Sequence, residues 1–120
     1  MARNLLVKVT AGTDAPERCA QAFTVSSVAA LSGVTVSLWL TGEAAWFALP
    51  GRAESFTLPH SPPLQGLRDD VLEHGTLTLC SQCATRRDIS PEMTLPGVRL
   101  AGAAVFVVEA LAADTQALVY

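Results

Sequence analysis

The chain has 120 residues, half of them apolar and 16% charged, with a mean hydropathy of +0.36. That length fits one domain over residues 1–120, and so much apolar surface excludes a disordered chain. Eight Lys and Arg against eleven Asp and Glu leave a net charge of −3, which argues against a nucleic-acid partner because there is no basic stripe to release counterions.

The N-terminal segment MARNLLVKVTAGT has too short an apolar run, and no cleavage-like site, for a signal peptide. Leu5–Thr10 (LLVKVT) is rich in β-branched residues and is expected to form a buried strand. The small-residue loop AGTDAP follows, with Asp14 placed to cap a helix that has Pro16 in its first turn. Cys19, Ala20, Phe23, Ser27, Ala30 and Leu31 recur at helical spacing, so this amphipathic helix runs to just before Gly33 and buries Cys19 on its inward stripe.

Val34–Leu40 (VTVSLWL) is the second strand, and AAWFAL is a short helix stopped by Pro50 and Gly51. Residues 51–63 carry the turn formers of a surface loop. Leu64, Leu67, Val71 and Leu72 mark a helix whose outer face carries Gln65, Arg68, Asp69, Asp70 and Glu73, with His74 in the last turn and Gly75 as its C′ cap. Thr76–Cys80 (TLTLC) is the third strand, SQCATRRDI a short helix or turn, Val98–Leu100 a fourth strand and Gln116–Tyr120 the last. Ala103–Ala112 is ambiguous between strand and helix. As a helix it is apolar nearly all round, broken only by Glu109, which points to a second copy of the chain covering its outer side.

Alternating strands and helices predict an α/β fold: a mainly parallel five-stranded sheet in a three-layer α/β/α sandwich of Rossmann or flavodoxin type. Nothing in the chain spans a bilayer, since no apolar run reaches the required length. Three cysteines do not suggest a secreted disulfide framework, so a cytoplasmic protein is expected.

In a parallel sheet the strands end together along one edge, and reactive groups collect in the loops there. Cys80 closes the third strand and Cys83 follows in a C-x-x-C pair. Free backbone N–H groups and the charges of Arg86 and Arg87 favour a thiolate at Cys80. Thr13 and Asp14 from the first loop, Glu43 from the second, and Arg86 and Arg87 from the third are the candidate binding residues around the candidate catalytic pair Cys80 and Cys83. Glu43 is either a helix N-terminal acid or a proton-handling group beside Cys80. Both cysteines also fit as small buried apolar residues. Zinc is disfavoured, because one C-x-x-C with His60 or His74 is a weak tetrahedral set. Trp39 and Trp46 are packing or interface residues. No G-x-G-x-x-G, P-loop or G-x-S-x-G motif is present, so no nucleotide or other cofactor is expected.

Four segments in order, TAGTDAPERCAQAF, LTGEAAWFALPG, LTLCSQCATRRDI and LPGVRLAGAAVFVVEALAADTQALVY, resemble the DsrE/DsrF-like family, which includes sulfur-relay subunits and YchN-like proteins. The resemblance implies an α/β/α sandwich and homo-oligomers, often trimers or hexamers. It also implies a strand-end cysteine that accepts sulfur as a persulfide and passes it to a partner protein; Cys80 matches that cysteine by position, and Cys83 is additional. Three functions compete: sulfur relay through Cys80, thiol–disulfide chemistry at Cys80–Cys83, and a non-catalytic oligomeric binding module. The Ser-Gln pair between the cysteines lacks the surroundings of a thioredoxin-type motif, which weakens the second.

Overall fold

The computed structural model describes residues 3–120; Met1 and Ala2, the start of the segment weighed as a signal peptide, lie outside the described residues. The elements in chain order are β1 (Asn4–Val9), α1 (Pro16–Leu31), β2 (Thr35–Leu40), a 3₁₀ helix (Gly42–Ala48), α2 (Leu64–His74), β3 (Thr76–Cys80), α3 (Ser81–Arg86), a 3₁₀ turn (Pro91–Met93), β4 (Arg99–Ala101), α4 (Ala103–Ala110) and β5 (Thr115–Val119). The sheet order is β4-β3-β2-β1-β5 and all four pairings are parallel. The α/β sandwich expected from the sequence is therefore present, with a sheet that is wholly rather than mainly parallel. No helix among the described residues is long and apolar enough to cross a membrane.

The two sheet faces differ because strand side chains alternate. Val7, Val9, Leu38, Leu40, Leu77 and Leu79 join one buried cluster with Phe23 of α1 and Leu64 and Val71 of α2. The other face carries Lys8, Ser37, Trp39, Thr78 and Arg99, and α4 lies over it: Phe106 meets Trp39 edge to face, and Glu109 bonds Ser37 and Trp39. The ambiguous C-terminal segment is thus a helix. Its single carboxylate points inward, while Val107, Val108 and Leu111 face outward at 51%, 71% and 80% exposure.

Four local expectations are corrected. Asp14 does not cap α1; the N-cap is Ala15 without a side-chain bond, because the Asp14 carboxylate accepts the Gly12 N–H at 2.7 Å instead. Arg68 is not on an outer face. It is 3% exposed, held by Glu54 at 3.1 Å and Asp69 at 3.1 Å, so it ties the 51–63 loop to α2. On the same helix Asp70 turns inward and accepts the Ser27 hydroxyl at 2.6 Å. Gly75 is not a left-handed cap, since its φ is −139°. Glycine is needed there because a Cβ would lie 2.8 Å from the Val36 carbonyl oxygen.

Candidate functional site

β1, β2 and β3 end at one edge of the sheet, at Val9, Leu40 and Cys80. A cavity of about 600 Å³ opens there, a size suited to a small ligand. Its floor is Cys80 and Cys83, with Thr10, Thr41 and Gly42 beside them; its cationic side is Lys8, Arg86 and Arg87. Phe106 and Val107 of α4, with Trp39 of β2, form the apolar wall. A larger cleft of about 720 Å³, between α1 and residues 58–62, contains none of the cysteines.

Gly42 shapes this edge. Its φ is +54°, and a Cβ would lie 2.5 Å from the Thr10 carbonyl oxygen, so only glycine fits. In that conformation its N–H donates to the Cys83 sulfur at 3.3 Å. Cys83 is 7% exposed, whereas Cys80 is half-buried and reaches the cavity.

The two thiols are shifted in opposite directions. Partial burial raises the Cys80 pKa, but hydrogen bonds from the Cys83 N–H, the Cys83 side chain and the Gln82 N–H, with the charge of Lys8, outweigh it and hold the thiol below its usual range. Burial raises Cys83, and its bond to Cys80 and the Cys80 charge raise it further; the Gly42 N–H and Arg87 offset only part of this. In a pair so arranged Cys80 ionises before Cys83 and is the readier nucleophile. The six-residue α3 is too short to supply much macrodipole, so individual N–H donors carry the effect. Cys19 differs from both. It is fully buried away from the cavity, and burial, together with the Asp14 carboxylate, pushes it up to about 12.

Of the residues anticipated from the sequence, Cys80, Cys83, Arg86 and Arg87 meet in the cavity. Glu43 does not line it. Its carboxylate is taken by Arg87, which donates from Nε and Nη2 at 3.0 and 2.9 Å. Thr13 and Asp14 are exposed and lie outside the cavity lining. His60 lines the other cleft, and His74 faces Glu73 at 3.9 Å. No group of three or more His, Cys, Asp or Glu among the described residues is placed to hold a metal ion. Lys8, Gly42 and Phe106 were not anticipated, and Trp39, expected as a packing or interface residue, also lines the cavity. Lys8 was legible in principle, being the one charge inside an otherwise apolar strand, a position that costs free energy without a purpose or a partner. Its ammonium lies 5.2 Å from the centre of the Phe106 ring.

Fold and site together define a small parallel α/β protein with a dithiol at the carboxyl edge of its sheet. The chain belongs to the DsrE/DsrF-like family, whose model matches residues 3–116. Its fold is similar to that of the YchN protein from E. coli, at 18% identity over the whole of both chains and a TM-score of 0.72. It is also similar to MTH1491 from Methanobacterium thermoautotrophicum, described as a protein of unknown function, at 10% identity over the whole of both chains and a TM-score of 0.62. No curated protein matches the sequence.

Proposed function

We propose that this protein is a sulfur carrier that holds sulfane sulfur as a persulfide on Cys80. The observation that carries the reading is Cys80 at the carboxyl end of β3, half-buried and lining a cavity that Lys8, Arg86 and Arg87 also line. In loading, the Cys80 thiolate attacks the outer sulfur of a donor persulfide; a Cys80–sulfur bond forms, and the donor leaves as its thiolate. In delivery, an acceptor thiolate attacks the outer sulfur on Cys80, which departs as thiolate. A depressed pKa aids both steps, because it supplies thiolate and makes Cys80 the better leaving group. Lys8 and Arg86 stabilise the anionic persulfide between the steps. Donor and acceptor are therefore thiol proteins or small thiols. The three free cysteines suit a reducing compartment such as the cytoplasm. The test is intact-mass analysis after incubation with glutathione persulfide. Gain of one sulfur atom, lost in Cys80→Ser, supports the reading; an accessible Cys80 that no persulfide donor loads overturns it.

The carrier works as a homo-oligomer, a trimer or hexamer, with a second copy seated on α4. The supporting observation is that α4 turns its one carboxylate inward and its valines outward. Exposed Val119 of the adjoining edge strand β5 continues this patch. Val107 borders the cavity as well, so the neighbouring copy adds to the wall of the sulfur site. Light scattering of the purified protein tests the assembly: a monomer at working concentration overturns it.

A further inference from the structure

We infer that Cys83 is a resolving thiol, which discharges the Cys80 persulfide as hydrosulfide when no acceptor takes the sulfur. The inference rests on the Cys80 persulfide proposed above and goes beyond it, since carriage and delivery need one cysteine only.

Four observations carry it. Cys80 is the N-cap of α3, Cys83 lies three residues on in its first turn, and both line the same cavity. Neighbouring positions of one helical turn bring two thiols within reach of each other, the arrangement of a C-x-x-C pair. Cys83 is 7% exposed, so it is better shielded from an outside thiol than half-buried Cys80. The Gly42 N–H donates to the Cys83 sulfur at 3.3 Å, and Arg87 lies against the same turn, its Nη1 donating to the Cys83 carbonyl at 3.1 Å. These groups steady negative charge on Cys83 at the moment it attacks. The cavity gives the leaving group a cationic exit past Lys8 and Arg86.

The step balances. Cys83 passes its proton to the outer sulfur of the persulfide anion. Its thiolate then attacks the Cys80 sulfur; the Cys80–Cys83 bond forms, the Cys80–outer-sulfur bond breaks, and hydrosulfide leaves. The sulfane sulfur gains two electrons and the two cysteine sulfurs give one each. A dithiol reductant of the cell returns the disulfide to two thiols. The sequence Cys-Ser-Gln-Cys thus makes the carrier self-clearing. A loaded molecule without a partner ends as an oxidised, unloaded one.

The experiment loads wild type, Cys83→Ser and Cys83→Ala with glutathione persulfide. Each is desalted, and intact mass and released sulfide are followed with time, circular dichroism confirming that the variants are folded. The expected result is a persistent persulfide in both variants. Wild type loses the added sulfur, releases one sulfide per chain, and ends two hydrogens lighter than the dithiol with a Cys80–Cys83 linked peptide. Equal persistence of the persulfide in wild type and variants overturns the inference while leaving the carrier reading intact. Sulfide release at the wild-type rate from Cys83→Ser overturns it too. Failure of every chain, the Cys83 variants included, to gain sulfur overturns the carrier reading itself and the inference with it.

Discussion

Arg87 donates from both Nε and Nη2 to one carboxylate oxygen of Glu43, and from Nη1 to the carbonyl of Cys83. One guanidinium therefore fastens the segment after β2 to the turn that carries both thiols. The pair is partly exposed, so its Coulombic worth is modest, within about 1 kcal/mol. Its value is positional. Glu43→Gln is expected to lower stability by less than about 1 kcal/mol while Arg87→Ala speeds labelling of Cys83 several-fold. Denaturation midpoints and peptide-mapped alkylation check both, and unchanged Cys83 protection in Arg87→Ala would sink the idea.

Thiol reactivity carries a pH signature. Because Cys80 is held below its usual range, its alkylation rate should reach half-maximum at lower pH than that of an unstructured cysteine. Lys8 contributes by its charge, so Lys8→Met moves that midpoint upward with the fold unchanged. A profile identical in the two proteins would remove Lys8 from the site.

Cys19 sets an alkaline limit on stability. Its folded pKa, about 12, lies above the ordinary value of 9.0. The folded state thus retains a proton that the unfolded chain releases. The stabilisation is whole below the ordinary value and is lost as pH rises toward the folded one. The slope is about 1.4 kcal/mol per pH unit, or about 4 kcal/mol over the whole interval. Cys19→Ala costs about 1 kcal/mol at neutral pH, for the atoms it removes from the core. It should flatten the alkaline decline, a contrast that urea midpoints at rising pH will reveal.

The carboxylate of Glu109 collects the Ser37 hydroxyl at 2.6 Å, the Trp39 indole N–H at 3.1 Å and Arg99 at 2.6 Å. Desolvation raises its pKa, but these bonds and the Arg99 charge outweigh it, so the group sits below the usual carboxylate value. Its stabilisation is present above the ordinary carboxylate pKa and is lost as pH falls through the depressed one. Glu109→Ala should cost about 2 kcal/mol, allowing for partial exposure, and shift Trp39 emission to the red. Glu109→Gln should cost less and remove part of the acid sensitivity.

Leu111→Glu and Val108→Glu test the outer side of α4. Both positions are exposed, so monomer stability should change by less than about 0.5 kcal/mol. The oligomer proposed above should dissociate on size-exclusion chromatography with light scattering. Retention of the full assembly in both variants would place the contact elsewhere.

The strands and their parallel pairing were legible because β-branched runs alternated with amphipathic segments. Cys80 was legible as a strand-end thiol because the TLTLC run stops at it. The inward turn of Glu109 was not, since in a helix apolar nearly all round no polar stripe says which way a lone charge faces. Only the Ser37, Trp39 and Arg99 donors on the sheet decide it. Arg68 misled for the same reason: its partner Glu54 stands in a loop with no periodicity to read. The grouping of Lys8, Trp39 and Phe106 beside the cavity depends on three elements meeting across the sheet, a register that pairing fixes and a linear pattern does not.

The strand order has a consequence for how the cavity is closed. β1, β2 and β3 pair in sequence order, whereas β5 pairs with β1 across more than a hundred residues, with α4 just before it in the chain. Phe106 and Val107, which wall in Cys80, are therefore held beside the pairing that costs the most loop-closure entropy. Fraying of that edge strand is expected to uncover the thiol while the rest of the sheet stays formed.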